Sequence, residues 1–322
     1  MTRVVVYGAG AVGGVIAGNL AAGGVDVAVV ARGEHLAAIR RDGLQISSAG
    51  GTSAYPVVAV DDPASLGLNA DDIVLIAVKS NATDSVAQRL REVAPPDLVV
   101  ASVQNSVVNE PLLSEYFDRV YGVCVMLPAM YLEPGQIVQR SYPTPGILDV
   151  GRIPTGIDAE SSQIAQLLQA GGFASEPRED IMAWKRRKLV MNLANAVDAV
   201  CEPGEDAATL RRLVRDEGEQ VLDASGLSVI SAEQDAERRG DLIAISREPG
   251  VESGSSTWQS LRRGTGETEA AYLNGEIVRL AATRGLSARA NELMAAEADR
   301  LAREGLPPRS VPAADLLALL GD

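Results

Sequence analysis

The stretch Val4-Val5-Val6-Tyr7-Gly8-Ala9-Gly10-Ala11-Val12-Gly13-Gly14 limits what this chain can fold into more than any other segment does. Val4–Tyr7 reads as a fully buried strand, and Gly8-x-Gly10-x-x-Gly13 as the turn that carries such a strand into a helix. The first glycine of this pattern permits a tight turn and the second lets backbone approach a pyrophosphate. The third lets the helix lie close on the strand. An Ala/Gly/Leu-rich helix over Ala11–Ala22 and a second strand over Val25–Val30 complete a βαβ unit. The amides at the start of that helix carry partial positive charge and favour an anion. The unit predicts a dinucleotide site built on Gly8, Ala9, Gly10, Ala11, Val12 and Gly13.

The residues after the second strand select the dinucleotide. A site for NAD places Asp or Glu there, to bond the ribose 2′-hydroxyl, whereas a site for NADP offers Arg to the 2′-phosphate. Here the strand ends Val29-Val30-Ala31-Arg32-Gly33, and Asp26 comes too early to serve. NADP(H), with Arg32 as the phosphate ligand, is the expected cofactor.

At 322 residues the chain is long for one domain and comfortable for two. Hydrophobic residues make up 46% but aromatics only 3%, so Ala, Val and Leu must fill the cores. A net charge of −14 argues against a nucleic-acid partner, which needs a basic face. Cys124 and Cys201 have neither metal-ligand nor disulfide-framework spacing and read as small buried hydrophobes. The apolar run over residues 4–31 holds too many glycines for a membrane span or signal peptide. The expectation is a cytoplasmic protein without targeting segment, membrane partner or metal; self-association as a homodimer is left open.

Strand patterns recur at Ile73–Val78, Leu98–Ser102 and Val120–Val125, with helical stretches such as Asn81–Val93 between them. This alternation predicts an α/β fold with a parallel, doubly wound sheet. Leu44–Ser47 and Ala54–Val60 read as a short β excursion, and residues 129–150 as an antiparallel extension. A further helix includes Ile164–Leu168. From Ile181 onward helical spacing dominates, over Ile181–Val200, Ala207–Ser225, Thr268–Arg284 and Ala290–Glu304. The expected organisation is a nucleotide domain over 1–178 and an all-helical substrate domain over 179–322, with ligands held in a cleft between them.

Two strand tips carry polar residues suited to that edge: Lys79-Ser80, and Gln104-Asn105-Ser106. Lys79 could pair with a cofactor or substrate oxygen, and Asn105 could hold the nicotinamide ribose. In the helix from Trp184, Asn192 lies roughly 40° from Lys188 around the axis and Asn195 roughly 20° on the other side. A lysine and two amides in one narrow stripe are costly to bury unless they meet partners. Lys185, Arg186 and Arg187 read as an ordinary solvated basic face. Ser253-Gly254-Ser255-Ser256 precedes another helix and suits a cap, and Glu269 and Asn274-Gly275 follow.

These residues together resemble the ketopantoate reductases, over almost the whole chain. The resemblance is carried by Gly8-Ala9-Gly10-Ala11-Val12-Gly13-Gly14, Ala31-Arg32-Gly33, Val78-Lys79-Ser80 and Gln104-Asn105. It continues through Trp184, Lys188-Leu189, Asn192, Ser255-Ser256, Thr268-Glu269 and Tyr272-Leu273-Asn274-Gly275. It implies a Rossmann-type domain with a helical second domain, in the manner of 6-phosphogluconate dehydrogenase. It also implies Lys188 as catalytic acid, supported by Glu269, with Asn192 and Ser256 binding substrate and Lys79 and Asn105 at the cofactor–substrate junction. Ser106 stands where the family has Gly, Asn195 comes one residue early without a following proline, and Arg289 replaces a proline before Asn291.

On this reading NADPH reduces the C2 ketone of a 2-keto acid, with ketopantoate converted to pantoate for pantothenate synthesis. His35, the single histidine, is expected beside the 2′-phosphate site and far from the chemistry, which leaves Lys188 as the natural proton donor. A free lysine amine, pKa ~10.4, is charged at neutral pH and also stabilises the alkoxide. Ser256, Asn192 and Asn195 would orient the substrate. A β-hydroxyacid dehydrogenase, which shares a Lys and Asn one turn apart, and a non-catalytic NADPH sensor are the alternatives.

Overall fold

The computed structural model describes residues 2–246, 254–264 and 266–321. Ser253 of the serine-rich stretch lies outside them.

A run of β-branched residues suits a strand covered on both faces. β1 (Val4–Tyr7) is such a strand, buried at every position. The chain turns through Gly8 into α1 (Ala11–Ala22) and returns as β2 (Val27–Val30), parallel to β1 with Val4 opposite Val27. There follow α2 (Gly33–Asp42), β3 (Leu44–Ser48), β4 (Gly51–Tyr55), β5 (Val58–Val60), β6 (Ile73–Ile76), α3 (Thr83–Val93) and β7 (Val99–Ser102). Then come α4 (Asn109–Ser114), β8 (Val120–Met126), β9 (Ala129–Glu133), β10 (Gln136–Gln139), β11 (Ser141–Pro143), β12 (Ile147–Arg152) and α5 (Ala159–Ala170).

The main sheet has the order β12-β8-β7-β6-β1-β2-β5. All its pairings are parallel except β12 against β8. Alternate residues of β1 serve opposite faces, as a two-residue period requires. Val4 and Val6 join Ile16 and Leu20 of α1 and Ile164 and Leu168 of α5. Val5 and Tyr7 join Val86 and Leu90 of α3, with Leu113 and Phe117. Helices therefore cover both faces, and the sheet is doubly wound.

The expected β excursion separates into two parts. β4 folds back on β3 as a hairpin, and β5 takes the edge of the main sheet beside β2. The antiparallel extension supplies β9 and β10 to a second sheet, ordered β4-β3-β10-β9. This sheet meets α1 at glycine: a Cβ on Gly14 would lie 2.8 Å from Ile137, and one on Gly18 would lie 2.6 Å from Ile46.

The remaining elements are α6 (Ile181–Val200), α7 (Glu205–Ala224), α8 (Ala232–Arg239), β13 (Ile243–Ile245), α9 (Ser256–Arg262), α10 (Ala270–Thr283), α11 (Arg289–Glu304) and α12 (Ala313–Gly321). The chain divides into two compact units, and the division falls inside α6 between Lys185 and Arg186. Residues 232–246, from the helical half of the sequence, belong to the first unit. There β13 pairs antiparallel with β11, and Arg238 donates to both oxygens of the buried Asp149. No described helix is long and apolar enough to cross a membrane.

In the second unit α7 buries Ala207, Leu210, Val214, Gly218, Val221 and Leu222, one face at helical spacing. A Cβ on Gly218 would lie 2.4 Å from the Leu193 side chain, so α7 packs closely on α6. Asn274 of α10 donates to the Leu193 carbonyl and to Asn291 Oδ1, and Asn291 donates to the Val214 carbonyl and to Glu217. No side chain of its own caps α11. Glu217 of α7 does so instead, accepting from the Ala290 and Asn291 amides at 2.9 and 3.0 Å. Charge-assisted bonds at a helix start contribute about 1.5–3 kcal/mol. Glu217→Ala is therefore expected to lower unfolding free energy by about 2–3 kcal/mol in urea titrations, and Glu217→Gln by less; an unchanged midpoint for Ala contradicts this capping role.

Candidate active site

In the first unit the candidate residues gather at the carboxyl ends of the parallel strands. Gly8 follows β1 with φ +104°, and a Cβ there would meet Val78 at 2.9 Å. Gly13 lies so near the Gly8 carbonyl that a Cβ would come within 1.9 Å of its oxygen. Around Gly10 a Cβ would find nothing within 4 Å, and no side chain caps the first turn of α1. Open space before uncapped helix amides is what a pyrophosphate needs. Gly8–Gly13 thus fits a dinucleotide phosphate.

His35 holds this turn. Its Nδ1 accepts from the Gly135 amide at 2.8 Å, so the ring proton is on Nε2, which donates to the Ala9 carbonyl at 2.7 Å. An edge-on contact with Tyr131, 5.0 Å between centroids, completes its surroundings. Burial lowers the His35 pKa below its ordinary 6.5, with the bond to Ala9 opposing the shift.

Arg32 follows β2 as the exposed N-cap residue of α2, in extended conformation (φ −135°, ψ 161°), with no side-chain cap on that helix. It lies near the Tyr7 hydroxyl, whose pKa burial raises while the Arg32 charge acts against the rise. Lys79 is half-buried, three residues past β6, and Asn105 is half-buried, three residues past β7.

A buried polar network ties these last two loops together. Gln104 donates to the Val78 carbonyl at 2.9 Å and to Thr83 Oγ1 at 2.8 Å. Thr83 donates to Asn109 Oδ1 at 2.8 Å, and Asn109 Nδ2 donates to Ser80 Oγ and to the Asn105 carbonyl, both at 3.2 Å. Ser106 has φ +78°, a left-handed conformation that favours the glycine of the family pattern. Thr83 and Asn109 are not among the residues singled out from the sequence; no local spacing marks them.

In the second unit Lys188 and Asn195 of α6 are half-buried and Asn192 is buried. Ser255 caps α9 by accepting from the Trp258 amide, its hydroxyl donates to the Asn195 carbonyl at 3.0 Å, and its amide donates to Asp198 at 2.7 Å. Arg309 holds the other Asp198 oxygen and lies 5.6 Å from the Trp258 ring. These bonds bring the Ser255-Ser256 corner to the Asn195 turn, with Ser256 exposed as the first residue of α9. Asp198, three residues beyond Asn195 on the same helix, continues the polar stripe and is missing from the sequence-derived set. Glu269 is the half-buried N-cap residue of α10, beside Thr268, which donates to Asp299 at 2.7 Å. Asn274 is fully buried and joins helices rather than facing solvent.

The expectation of a solvated basic face over Lys185–Arg187 is wrong for two of its three members. Lys185 is 3% exposed, with its ammonium on the Gln104 and Val123 carbonyls and on Glu110. Arg187, 14% exposed at the side chain, donates to the Ile230 carbonyl and pairs with Glu219. Arg186 donates to the Ser228 carbonyl. Three consecutive cations on a helix point in three directions, and here backbone carbonyls accept from all three.

A Rossmann-type unit with an open glycine turn before uncapped helix amides, and a helical unit bearing a lysine–asparagine stripe, define an NAD(P)-dependent oxidoreductase. The family models for ketopantoate reductase PanE/ApbA match residues 4–155, and those for its C-terminal part match residues 180–302. The chain belongs to the ketopantoate reductase family. It is 30% identical over 300 residues to the 2-dehydropantoate 2-reductase of Archaeoglobus fulgidus, covering 91% of this chain and 95% of that one. With the enzyme of the same name from Pyrococcus horikoshii it shares 26% over 300 residues, again 91% and 95%. Among solved structures, a PanE/ApbA family ketopantoate reductase from Ralstonia eutropha superposes with a TM-score of 0.79 at 26% identity, covering 95% and 99% of the two chains. D-mandelate dehydrogenase with NADH and anilino(oxo)acetate has the same fold, with a TM-score of 0.80 at 18% identity over 94% and 99%.

The neutral state that lets His35 hold the glycine turn carries a pH dependence. A depressed folded pKa means that the unfolded chain binds the proton first, so this contribution is full above about 6.5 and is lost as pH falls toward the folded value. Because His35 is the sole histidine, melting temperature is expected to fall between pH 7.5 and 5.5 in the wild type and to flatten over that window in His35→Phe. Parallel slopes for the two proteins contradict it.

Proposed function

We propose that this chain is a cytoplasmic, NADPH-dependent reductase of ketopantoate, yielding pantoate. The observation that carries the reading is the 30% identity to a 2-dehydropantoate 2-reductase over nine-tenths of both chains. Arg32 supports NADPH over NADH, because its guanidinium and the uncapped start of α2 suit a phosphate and no carboxylate ends β2. When bound, the nicotinamide supplies a hydride to the C2 carbonyl carbon.

The chain's own groups do the rest. Lys188 Nζ donates a proton to the C2 oxygen as negative charge develops there, and its positive charge stabilises that oxygen beforehand. Asn192, Asn195 and Ser256 bind the carboxylate and hydroxyl groups of the substrate. They are neutral donors and add no charge of their own beside Lys188. Glu269 orients Lys188, and Lys79 and Asn105 bind at the junction of cofactor and substrate. A sensor without turnover has no use for a proton donor, so the lysine stripe disfavours that alternative.

Two measurements test the residue roles. Arg32→Ala is expected to weaken NADPH binding by about 1.5–3 kcal/mol, the scale of a bond to a charged group, and to leave NADH binding unchanged. Equal losses for both cofactors contradict the 2′-phosphate role. Lys188→Ala is expected to lower kcat by about 10²–10⁴ while NADPH binding stays within a few-fold. Adding Glu269→Ala should cost less than the product of the single losses, because one residue acts through the other. Near-normal turnover of Lys188→Ala places the proton elsewhere.

A further inference from the structure

Lys185 and Glu110 form an ion pair at a depth where ions are rare: their side chains are 3% and 0% exposed. The ammonium donates to the Gln104 carbonyl at 2.7 Å and to the Val123 carbonyl at 3.0 Å, and its nitrogen lies 2.8 Å from Glu110 Oε1 as an ion pair. Apart from that ion pair, neither carboxylate oxygen of Glu110 accepts a hydrogen bond among the described residues. A buried carboxylate with an unanswered oxygen is costly, and apolar residues of similar volume would fill the space as well or better. What an apolar pair could not do is hold the two carbonyls.

Those carbonyls stand at a defined place. The β7–β8 ladder runs to Ser102 opposite Gly122 and stops. Just beyond it the strands part, and the Lys185 ammonium bridges Gln104 on one side to Val123 on the other. Gln104 is the residue before Asn105. Its carbonyl belongs to the peptide plane entering Asn105, and the Asn105 carbonyl, in the plane leaving it, accepts from Asn109. Ser106 follows in the left-handed region, where a non-glycine residue is strained and stays only if its surroundings hold it. Both peptide planes around Asn105 are therefore tethered, one by a charged group and one by a buried amide.

We infer that Lys185, ion-paired with Glu110, is a positioning residue that sets the Asn105 side chain for cofactor and substrate. This inference rests on the reductase reading and adds to it a residue that touches neither ligand. A shift of about 1 Å at a positioning group can cost on the order of 10²-fold in rate.

The test compares wild type, Lys185→Met, Lys185→Arg and the pair Lys185→Met with Glu110→Leu. Lys185→Met alone strands a buried carboxylate and is expected to melt at lower temperature. The double variant removes both charges and is expected to regain wild-type melting temperature, while kcat for ketopantoate stays about 10- to 100-fold down. In its crystal structure Asn105 should be displaced by about 1 Å, with Ser106 relaxed from its positive φ. Lys185→Arg, which keeps charge and donors, is expected to retain more turnover than the double variant. A double variant with wild-type kcat and an unmoved 104–106 turn overturns the inference and leaves the pair a packing feature. If wild type reduces no keto acid, the reductase reading fails, and the crystal structure alone decides whether Lys185 positions Asn105.

Discussion

The contact of Gly13 with the Gly8 carbonyl is the constraint on which the first unit depends. With a Cβ only 1.9 Å from that oxygen, any other residue would push α1 off β1. The contact sets the angle at which α1 leaves the sheet, and so aims its uncapped amides beyond the strand ends. The same closeness continues along the helix, where Gly14 and Gly18 admit Ile137 and Ile46 of the second sheet. A helix lined with glycine gives up side-chain packing and some intrinsic stability. Here it gains approach on two sides, and His35 secures the turn from a third by its bond to Ala9.

Charge is used in two contrasting ways. The chain is acidic, at −14, so each cation facing a ligand stands out against a field that repels anions. Arg32 is exposed at a helix start, where the proposed function gives it a phosphate to bind. Lys185 is buried, and its charge is taken up by two backbone carbonyls and the Glu110 carboxylate. Where the first would bind, the second shapes what binds, and only the surroundings of each residue tell them apart.

Much of this was legible in the sequence. β1, α1 and α6 have the bounds that pattern predicts, because buried parallel strands are written in β-branched residues and glycine or proline punctuates the rest. The strand tips bearing Lys79 and Asn105 were legible for the same reason. What escaped depends on distant partners. Lys185 looked like one of three solvated cations, since its carbonyl partner at Gln104 is 81 residues away. Residues 232–246 looked like part of a helical region, but Arg238 answers the buried charge of Asp149, 89 residues earlier. Asn274 stood out as a motif residue, yet its amide is spent on the Leu193 carbonyl and Asn291. Ser106 departs from the family pattern, and its left-handed backbone shows what the usual glycine accommodates.

At the centre stands the proposed reduction of ketopantoate with NADPH. It is tested most directly by following NADPH oxidation at 340 nm by the purified wild-type chain against a panel of 2-keto acids, with NADH run in parallel. Ketopantoate is expected to give the highest kcat/KM, and NADPH to outperform NADH on it. Absence of oxidation with every keto acid, or a clear preference for NADH, would contradict it.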